Sequence, residues 1–373
     1  MSGAAGSGAG VPHPAPRVIA QRPAGGVTPR LGASPGMVKL CLMGFGSVNR
    51  ELCRLFDERR ERLEAQGLRV LISAAGTRHA SFLDPAGVEP AELLRIVERA
   101  GDRLPDPPLA PEELIAGSGA NLMVEGTVLE HGGAPLATAH IEAAFRAGLD
   151  VVTVNKGPVA WEYARLQRLA EELGRRWRFE GVVADGMPVF DMLDYCLRSC
   201  EVLGFEAIFN GTSNHIIEEV GQGRSFEDAL AWCQAEGIAE ADPAHDIDGV
   251  DGASKVAALA NVAMAAGITP DDVPKDSIRG ITTEQVQAAA ARGHKLCVVC
   301  SARRAEDGRV EGSVRLTEIP LDHPLAPLRG SSLGLLLHTD LMADVFVAEY
   351  SAMVPQTAYG VYADIVALCS PVA

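Results

Sequence analysis

Short apolar runs that alternate with helical patterns over the first part of the chain constrain the fold most. The apolar runs cover residues 38–43, 68–74, 121–128 and 149–154, and helical patterns cover about 50–62 and 137–147. Strands that alternate with helices predict a parallel sheet with right-handed crossovers. The sequence therefore predicts an N-terminal α/β domain that begins with a strand at Val38.

Two glycines stand at the first predicted strand-to-helix turn, in Gly44-Phe45-Gly46-Ser47-Val48-Asn49. At such a turn the first glycine permits a tight bend, and the second lets the backbone approach a diphosphate at the helix N-terminus. A two-glycine match also occurs in turns of purely structural purpose. Its place in a strand–helix series favours a dinucleotide site, and we assign the cofactor contacts to Gly44, Phe45, Gly46, Ser47 and Val48.

The segment after the second predicted strand bears on the choice of dinucleotide. Ala74-Ala75-Gly76-Thr77-Arg78 contains no acidic residue that would accept hydrogen bonds from a ribose 2′-hydroxyl. Arg78 instead suits a 2′-phosphate. The sequence predicts NADP as the preferred cofactor, with NAD as the alternative.

The regular alternation of strands and helices ends near Arg176, and an α+β region follows. Strands are predicted near 177–180, 201–210, 295–302 and 309–318, and helices over 225–235 and 250–265. A last helix over 357–368 is apolar enough to return to the first domain. We predict a tail over 1–36, a Rossmann domain over 37–175, a substrate-binding and dimerisation domain over 176–345, and a C-terminal segment over 346–373.

Charge and composition exclude several classes of partner. The net charge of −16 argues against nucleic acid or an anionic membrane surface, because both require a basic face. No apolar run approaches the roughly 18 residues of a membrane span. Cys297 and Cys300 form a CxxC inside an apolar run, which we interpret as buried thiols.

The first 36 residues are rich in Gly, Ala and Pro and contain arginines but no acidic residue. They are interpreted as a disordered tail or an over-long start ahead of Met37. An organelle transit peptide is the alternative, since such peptides are also basic and poor in acidic residues. Otherwise we expect a cytoplasmic protein.

An acidic loop followed by a helix start carries the chemistry. Asp251 and Lys255 are four residues apart, so both side chains emerge from one helix face. A solvated ion pair is the simplest interpretation of this spacing. Apolar residues follow the pair, and four carboxylates precede it, which favours a lysine that exchanges a proton with an alkoxide. These carboxylates are Glu240, Asp242, Asp246 and Asp248.

Five segments in order resemble the homoserine dehydrogenase family, and the resemblance covers nearly everything after Met37. Besides the acidic loop with Asp251 and Lys255, they are Thr153-Val154-Asn155-Lys156, Phe179-Glu180-Gly181-Val182-Val183-Ala184-Asp185-Gly186-Met187-Pro188, Gly211-Thr212-Ser213-Asn214 and Gln356-Thr357-Ala358-Tyr359-Gly360-Val361.

The resemblance implies reversible hydride transfer between NAD(P)H and L-aspartate 4-semialdehyde to give L-homoserine, in threonine and methionine biosynthesis. It makes Lys255 the acid/base and Asp251 its orienting partner, and it sets Lys156 beside substrate and nicotinamide. The remaining residues that it implies are Glu240 and Asp246 at the substrate ammonium, Thr212 in the pocket wall, and Thr127 and Asn155 at the cofactor.

The family also implies features that side-chain types do not reveal. One is a monovalent cation such as Na⁺, bound by backbone carbonyls, here those of Glu180, Val183, Asp185 and Met187. The other is a homodimer formed through the central α+β region.

Two cofactor-facing loops depart from the family pattern. Asn49 stands where a glycine is usual, and residues 348–355 contain no glycine but an added charge at Glu349. We expect Asn49 to crowd the strand–helix contact or to disturb the cofactor phosphate. The departures leave open a relative with altered substrate or little catalysis, acting as a ligand sensor or scaffold.

Overall fold

The computed structural model describes residues 36–130, 132–236, 239 and 243–369. Apart from Gly36, the predicted N-terminal tail lies outside the described residues. Within the described ranges, no helix is both long and apolar enough to cross a bilayer.

The first half of the chain builds a six-stranded sheet in the order β3-β2-β1-β4-β5-β6. All neighbours run parallel except β2 and β3, which are antiparallel. The strands are Met37–Met43 (β1), Arg69–Gly76 (β2), Ser81–Val88 (β3), Leu122–Glu125 (β4), Asp150–Thr153 (β5) and Trp177–Arg178 (β6). The helices among them are Ser47–Glu58 (α1), Arg60–Ala65 (α2), Pro90–Arg99 (α3), Pro111–Gly117 (α4), Pro135–Arg146 (α5) and Lys156–Glu172 (α6).

Both faces of this sheet are covered, which explains the continuous apolar run of β1. Leu40 and Leu42 face the hydrophobic cluster that includes α1, whereas Cys41 and Met43 face the cluster on the other side. Parallel strands buried on both faces read as uninterrupted apolar sequence. The predicted Rossmann architecture is confirmed.

Two strand predictions need correction. The sheet is not wholly parallel, because β3 was not predicted and lies antiparallel to β2 at the edge. The strand predicted over 177–180 was assigned to the second region, but β6 pairs with β5 in the first sheet. The first sheet therefore extends beyond the boundary predicted at residue 175 and includes β6.

The second half forms a five-stranded antiparallel sheet in the order β11-β10-β7-β8-β9. Its strands are Val202–Ile208 (β7), His294–Arg304 (β8), Val310–Pro320 (β9), Leu333–Thr339 (β10) and Asp344–Glu349 (β11). The helices of this half are Val189–Asp191 (α7), Gly211–Gly221 (α8), Phe226–Ala235 (α9), Ala244–Ile247 (α10), Val250–Met264 (α11), Thr283–Ala291 (α12) and Val354–Cys369 (α13).

Helix α11 is the central element between the two sheets. It packs against α6 on one side and against β8 and β9 on the other. Ala253, Val256 and Ala257 are wholly buried in this contact. A helix enclosed in this way has a fixed rotation about its axis, so the polar residues of its first turn point in a defined direction.

The last helix returns to the first domain as predicted. α13 packs on α1, where Val361 and Ile365 join Leu52 and Phe56 in one hydrophobic cluster. The rings of Phe56 and Tyr362 lie with centroids 5.3 Å apart.

The CxxC of β8 consists of two buried thiols. Cys300 belongs to the hydrophobic cluster beneath α11, whereas Cys297 belongs to the cluster on the opposite face of the sheet. Burial raises the pKa of Cys297 to about 11 and that of Cys300 to about 12. Two thiols on opposite faces cannot share one metal ion.

Candidate active site

One carboxylate and two ammonium groups form the centre of the site. Asp251 Oδ1 lies 2.7 Å from Lys156 Nζ, and Asp251 Oδ2 lies 3.1 Å from Lys255 Nζ. Lys255 Nζ also donates to the Phe209 carbonyl at 2.7 Å. The side chains are 21%, 12% and 16% exposed for Lys156, Asp251 and Lys255 respectively, so the pairs are partly withdrawn from water.

The positions of these three residues follow from the helices that carry them. Lys156 is the first residue of α6, directly beyond the carboxyl end of β5. Asp251 and Lys255 lie one turn apart at the start of α11, as the i,i+4 spacing predicted. Asn261 Nδ2 donates to Ala160 O at 3.1 Å and joins the two helices further along. The helix pair thus brings residues from the two sheets together.

The charges in the cluster set the pKa values of its members. Burial lowers the pKa of the Lys255 ammonium, but the carboxylates of Asp251 and Asp185 outweigh that effect and the net pKa is raised. Burial acts to raise the pKa of Asp251, yet the two lysines hold it far below its usual range. Asp251 therefore stays ionised between two cations.

Asn210 is a site residue that the sequence analysis missed. Its Nδ2 donates to Asp246 Oδ1 at 2.7 Å and to Asp251 Oδ2 at 3.1 Å, and its Oδ1 caps α8 by accepting from Ser213 N at 2.8 Å. Burial, followed by the charge of Asp251, raises the pKa of Asp246. An Asn directly before Gly-Thr-Ser is a recognisable helix cap, and that was the available signal.

Thr212 and the remaining carboxylates of the acidic loop, of which Glu240 was assigned to the substrate, divide into three groups. Thr212 is the second residue of α8 and is half-buried next to the Asn210 cap. Glu240 and Asp242 lie outside the described residues. Asp248 points away from the cluster, since both its oxygens accept from Arg279 at 2.8 Å.

The glycine turn between β1 and α1 lies at the point where the strand order reverses, between β1 and β4. Gly44 has φ +82, and a Cβ there would lie 2.3 Å from Gly126 O, so only glycine fits. A Cβ on Gly46 would meet nothing within 4 Å, so the N-terminus of α1 faces open space. No acidic residue stands in the first turn of α1. Unpaired helix N–H groups beside open space suit a diphosphate.

Asn49 is built into this turn. It is 1% exposed, and its Nδ2 donates to the Gly44 carbonyl at 2.7 Å. A Cβ on Gly126 would approach that same nitrogen to 2.9 Å. The side chain thus fills the space between the turn and the loop after β4.

The remaining predicted cofactor residues lie at the carboxyl edge of the first sheet. Thr127 follows β4, and its carbonyl accepts from Asn155 Nδ2 at 3.3 Å. Asn155 caps α6 by accepting from Gly157 N at 3.1 Å. Arg78 is exposed in the turn after β2, and Phe45, Ser47 and Val48 surround the glycine turn.

The loop over 180–187 carries the carbonyls predicted to bind a cation. In the described part of the chain, no backbone N–H outside the helices and strands donates to the carbonyls of Val183 or Asp185. Asp185 is left-handed at φ +48, and its Oδ1 accepts from Thr357 Oγ1 at 2.7 Å. The Met187 carbonyl, by contrast, accepts from Val189 N at 2.8 Å.

A buried acidic cluster adjoins this loop and was not predicted. One carboxylate oxygen from each of Glu180, Asp191 and Asp364 lies within 4.8 Å of the others. Arg178 Nη1 lies 2.5 Å from Asp191 Oδ1 and 3.5 Å from Asp364 Oδ1. The guanidinium therefore supplies positive charge to Asp191 and Asp364, whereas Glu180 accepts from the backbone N–H groups of Phe190 and Asp191 at 2.8 Å, and burial raises its pKa to about 7.

Glu349 ends β11 and faces the same loop. Burial, followed by the charge of Asp185, raises the pKa of its carboxyl group, and the nearby backbone N–H groups of Gly186 and Met187 act in the opposite direction. Its buried Oε2 has no hydrogen-bond partner among the described residues. The added acidic group therefore faces the loop over 185–187 with one carboxylate oxygen unsatisfied in the described structure.

Models of one protein family match both halves of the chain. The homoserine dehydrogenase NAD-binding domain matches residues 44–180, and the homoserine dehydrogenase domain matches residues 188–366.

Individual proteins of the same family are also similar to this chain. The NAD(+)-dependent homoserine dehydrogenase of Pseudomonas canavaninivorans is 31% identical over 335 residues, which cover 88% of this chain and 95% of that protein. The homoserine dehydrogenase of Corynebacterium glutamicum is 30% identical over 344 residues, covering 90% of this chain and 73% of that protein. The structure of a putative homoserine dehydrogenase from Archaeoglobus fulgidus matches with a TM-score of 0.82 at 29% identity, covering 90% of this chain and 100% of that chain.

A dinucleotide fold whose crevice borders a lysine–carboxylate cluster defines an NAD(P)-dependent oxidoreductase that acts on a CH–OH group. Within that class, the chain belongs to the homoserine dehydrogenase family. The reaction is the interconversion of L-aspartate 4-semialdehyde and L-homoserine, a step in amino-acid biosynthesis. The family and the enzyme class predicted from the sequence are confirmed.

Proposed function

We propose that Lys255 transfers the proton in this reaction. A bound nicotinamide supplies or accepts the hydride at C4 of the substrate. When the semialdehyde is reduced, its oxygen gains negative charge, and the Lys255 ammonium donates a proton to it; in the reverse direction neutral Lys255 accepts that proton. The observation that carries the proposal is the single carboxylate shared by Lys156 and Lys255 at the crevice.

Asp251 orients both lysines in this proposal. It fixes Lys255 through Oδ2 and Lys156 through Oδ1, so each ammonium retains donors for other partners. Lys156 begins α6 at the carboxyl edge of the first sheet, and this position supports its assignment to the nicotinamide end of the crevice. Its positive charge stabilises the developing alkoxide together with Lys255.

The amino-acid end of the substrate is assigned to the acidic loop and to α8. Asp246 is half-buried and held by Asn210, and a substrate ammonium would compensate its burial. Glu240 precedes it in the loop as the second carboxylate, and Thr212 lines the pocket at the start of α8.

The dinucleotide is assigned to the carboxyl edge of the first sheet. Gly44 to Val48 would hold the diphosphate at the start of α1, and Thr127 and Asn155 would hold the nicotinamide half. NADP is the proposed preference, because Arg78 is exposed after β2 and no carboxylate occupies residues 74–78. Titration of NADP and NAD against the wild type and Arg78→Ala tests this: the variant should lose affinity for NADP alone.

The proposal also includes a bound monovalent cation and a homodimer. The carbonyls of Glu180, Val183, Asp185 and Met187 would hold a monovalent cation that stiffens the loop next to Lys255. The open face of the second sheet, around Ser301 and Ser313, would be the interface of a homodimer.

Replacement of Lys255 tests the central assignment. Lys255→Ala should reduce kcat for homoserine oxidation by about 100- to 10,000-fold, the range of a lost acid/base group. Lys275→Ala, an exposed lysine elsewhere, is the matched control and should retain wild-type rates. Absorbance of the reduced cofactor gives the rate, and circular dichroism verifies folding. A folded Lys255→Ala enzyme with wild-type turnover would remove Lys255 from the mechanism.

A further inference from the structure

A buried acid–imidazole pair lies beneath the cofactor crevice, outside the groups assigned to the reaction. Glu125 is the last residue of β4 and is wholly buried, and His140 of α5 is 3% exposed. His140 Nδ1 lies 2.8 Å from Glu125 Oε2. Because an ionised carboxylate only accepts hydrogen bonds, the His140 tautomer that pairs with it carries its proton on Nδ1. A carboxylate in such a position requires donors on both oxygens, because burial without them is costly.

The second oxygen of Glu125 is taken by one residue of the crevice. Thr127 donates to Glu125 Oε1 through its backbone N–H at 2.9 Å and also through its hydroxyl. Gly126, between them, donates to the Met43 carbonyl at 2.8 Å and lies against the Gly44 turn. The buried carboxylate therefore fixes the loop that borders the crevice opposite the glycine turn.

The connection continues to the lysine cluster. The Thr127 carbonyl accepts from Asn155 Nδ2 at 3.3 Å, and Asn155 Oδ1 caps α6 at Gly157 N. Lys156, the residue after this cap, pairs with Asp251. A continuous set of hydrogen bonds thus runs from His140 through Glu125, Thr127 and Asn155 to the start of α6.

We propose that Glu125 and His140 are positioning residues for the cofactor. They hold Thr127 in place for the nicotinamide half and, through the Asn155 cap, hold Lys156 at the crevice. The inference rests on the cofactor crevice assigned under the proposed function and adds two residues that never touch substrate or cofactor.

The two nitrogens of His140 make the inference specific. Nδ1 carries the contact with Glu125, whereas Nε2 is buried without a hydrogen-bond partner among the described residues. A side chain that retains a donor at the Nδ1 position should therefore suffice. Asparagine places its Nδ2 there, and leucine fills the volume without any donor.

Variants of His140 test this assignment. In His140→Leu the KM for NADP should rise at least tenfold and kcat should fall, while the KM for homoserine stays within twofold of wild type. His140→Asn should recover most of the cofactor affinity. Thr138→Val is the matched control on the same helix, because its buried hydroxyl makes no hydrogen bond within the described structure, and it should behave as wild type.

Three outcomes would overturn the inference. The first is a cofactor KM of His140→Leu equal to that of Thr138→Val, and the second is a His140→Asn variant no better than His140→Leu; either would indicate packing alone. The third is measured on the wild type, so it stands even where a variant fails to fold. Hydrogen exchange of the Thr127 amide without cofactor should be slow, and exchange at the rate of an open loop would refute the anchoring. Failure of the wild type to bind any dinucleotide would instead refute the crevice assignment, while slow exchange would still support the anchored loop.

Discussion

Two ammonium groups that share one carboxylate behave differently from two separate ion pairs. Each lysine of the cluster is held by Asp251, yet each experiences the repulsion of the other across the carboxylate. The net effect on Lys255 is a raised pKa, so it is protonated in the resting enzyme. The state ready to donate a proton to a forming alkoxide is therefore the resting one, and homoserine oxidation requires deprotonation first.

This balance predicts the effect of Asp251→Asn on the pH profile. Loss of the negative charge lowers the pKa of Lys255, so the rise of homoserine oxidation with pH should begin about one pH unit or more lower than in the wild type. The plateau rate should fall about 100-fold, because Lys255 loses its orientation. The measurement is kcat/KM for homoserine oxidation as a function of pH.

Asp248→Asn is the control for that experiment. Asp248 comes from the same acidic loop but pairs with Arg279 outside the cluster. Its removal should leave the midpoint of the profile unchanged. An Asp251→Asn profile with the wild-type midpoint would show that Asp251 does not set the pKa of Lys255.

Among single residues, sequence spacing predicted contacts within one helix but not contacts between different elements. The pair of Asp251 and Lys255 is visible in sequence because one helix turn separates them. Asn210 reaches Asp251 across 41 residues and Glu125 reaches His140 across 15, through packing between elements. No periodicity encodes such distances, so these partners emerge only from the fold.

At the scale of elements, the β1–α1 turn shows how one substitution changes a standard motif. We expected Asn49 to crowd the turn, but its amide donates to Gly44 O and fills the gap beside Gly126. Glu349 faces the loop over 185–187, where burial followed by the charge of Asp185 raises its pKa. Asn49 is thus accommodated in the turn beside the crevice, whereas the buried Oε2 of Glu349 has no hydrogen-bond partner among the described residues.

Asn49→Ala should therefore destabilise the first domain. It leaves the buried Gly44 carbonyl without its donor, which costs about 1–3 kcal/mol of the free energy of unfolding. Cofactor affinity should fall as well, because the turn loses its support. Urea unfolding and NADP titration measure the two effects.

Arg54→Ala, on the exposed side of the same helix, is the appropriate control and should change neither quantity. Unchanged or greater stability of Asn49→Ala, with tighter NADP binding, would mean that Asn49 hinders the cofactor as first expected.

Strand β3, which was not predicted, shows where the prediction of strands from residue type fails. Its sequence Ser-Phe-Leu-Asp-Pro-Ala-Gly-Val contains Asp, Pro and Gly, which are typical of turns. Proline is tolerated there because β3 is an edge strand and needs donors on one side only. The apolar strand β1 was predictable because it is buried on both faces, whereas an edge strand has no such signature. Strands β10 and β11 were not predicted either, although β10 is apolar, buried and not at an edge.

At the scale of the whole molecule, the second sheet leaves one face partly uncovered. Glu206, Ser301 and Arg303 lie on this face, opposite the side that packs on α11. A sheet face of this kind suits a self-complementary contact with a second copy of the chain.

We expect a homodimer by sedimentation or light scattering at micromolar concentration. The double variant Ser301→Arg with Ser313→Arg introduces bulk and like charge at the centre of the face, and it should shift the protein to monomer. Arg99→Glu, exposed on α3 of the first domain, should leave the dimer intact. A wild-type monomer, or a dimer unaffected by the double variant, would exclude this interface.

Because α13 packs on α1, the hydrophobic core of the nucleotide domain can form completely only late in protein synthesis. Leu52 and Phe56 emerge early from the ribosome, yet the residues that cover them, Val361 and Ile365, are translated only after the entire antiparallel sheet. Until then the first domain exposes an apolar helix face. The nascent chain therefore depends on late residues to close its earliest core, and a chain truncated before Val354 would leave that face open to aggregation.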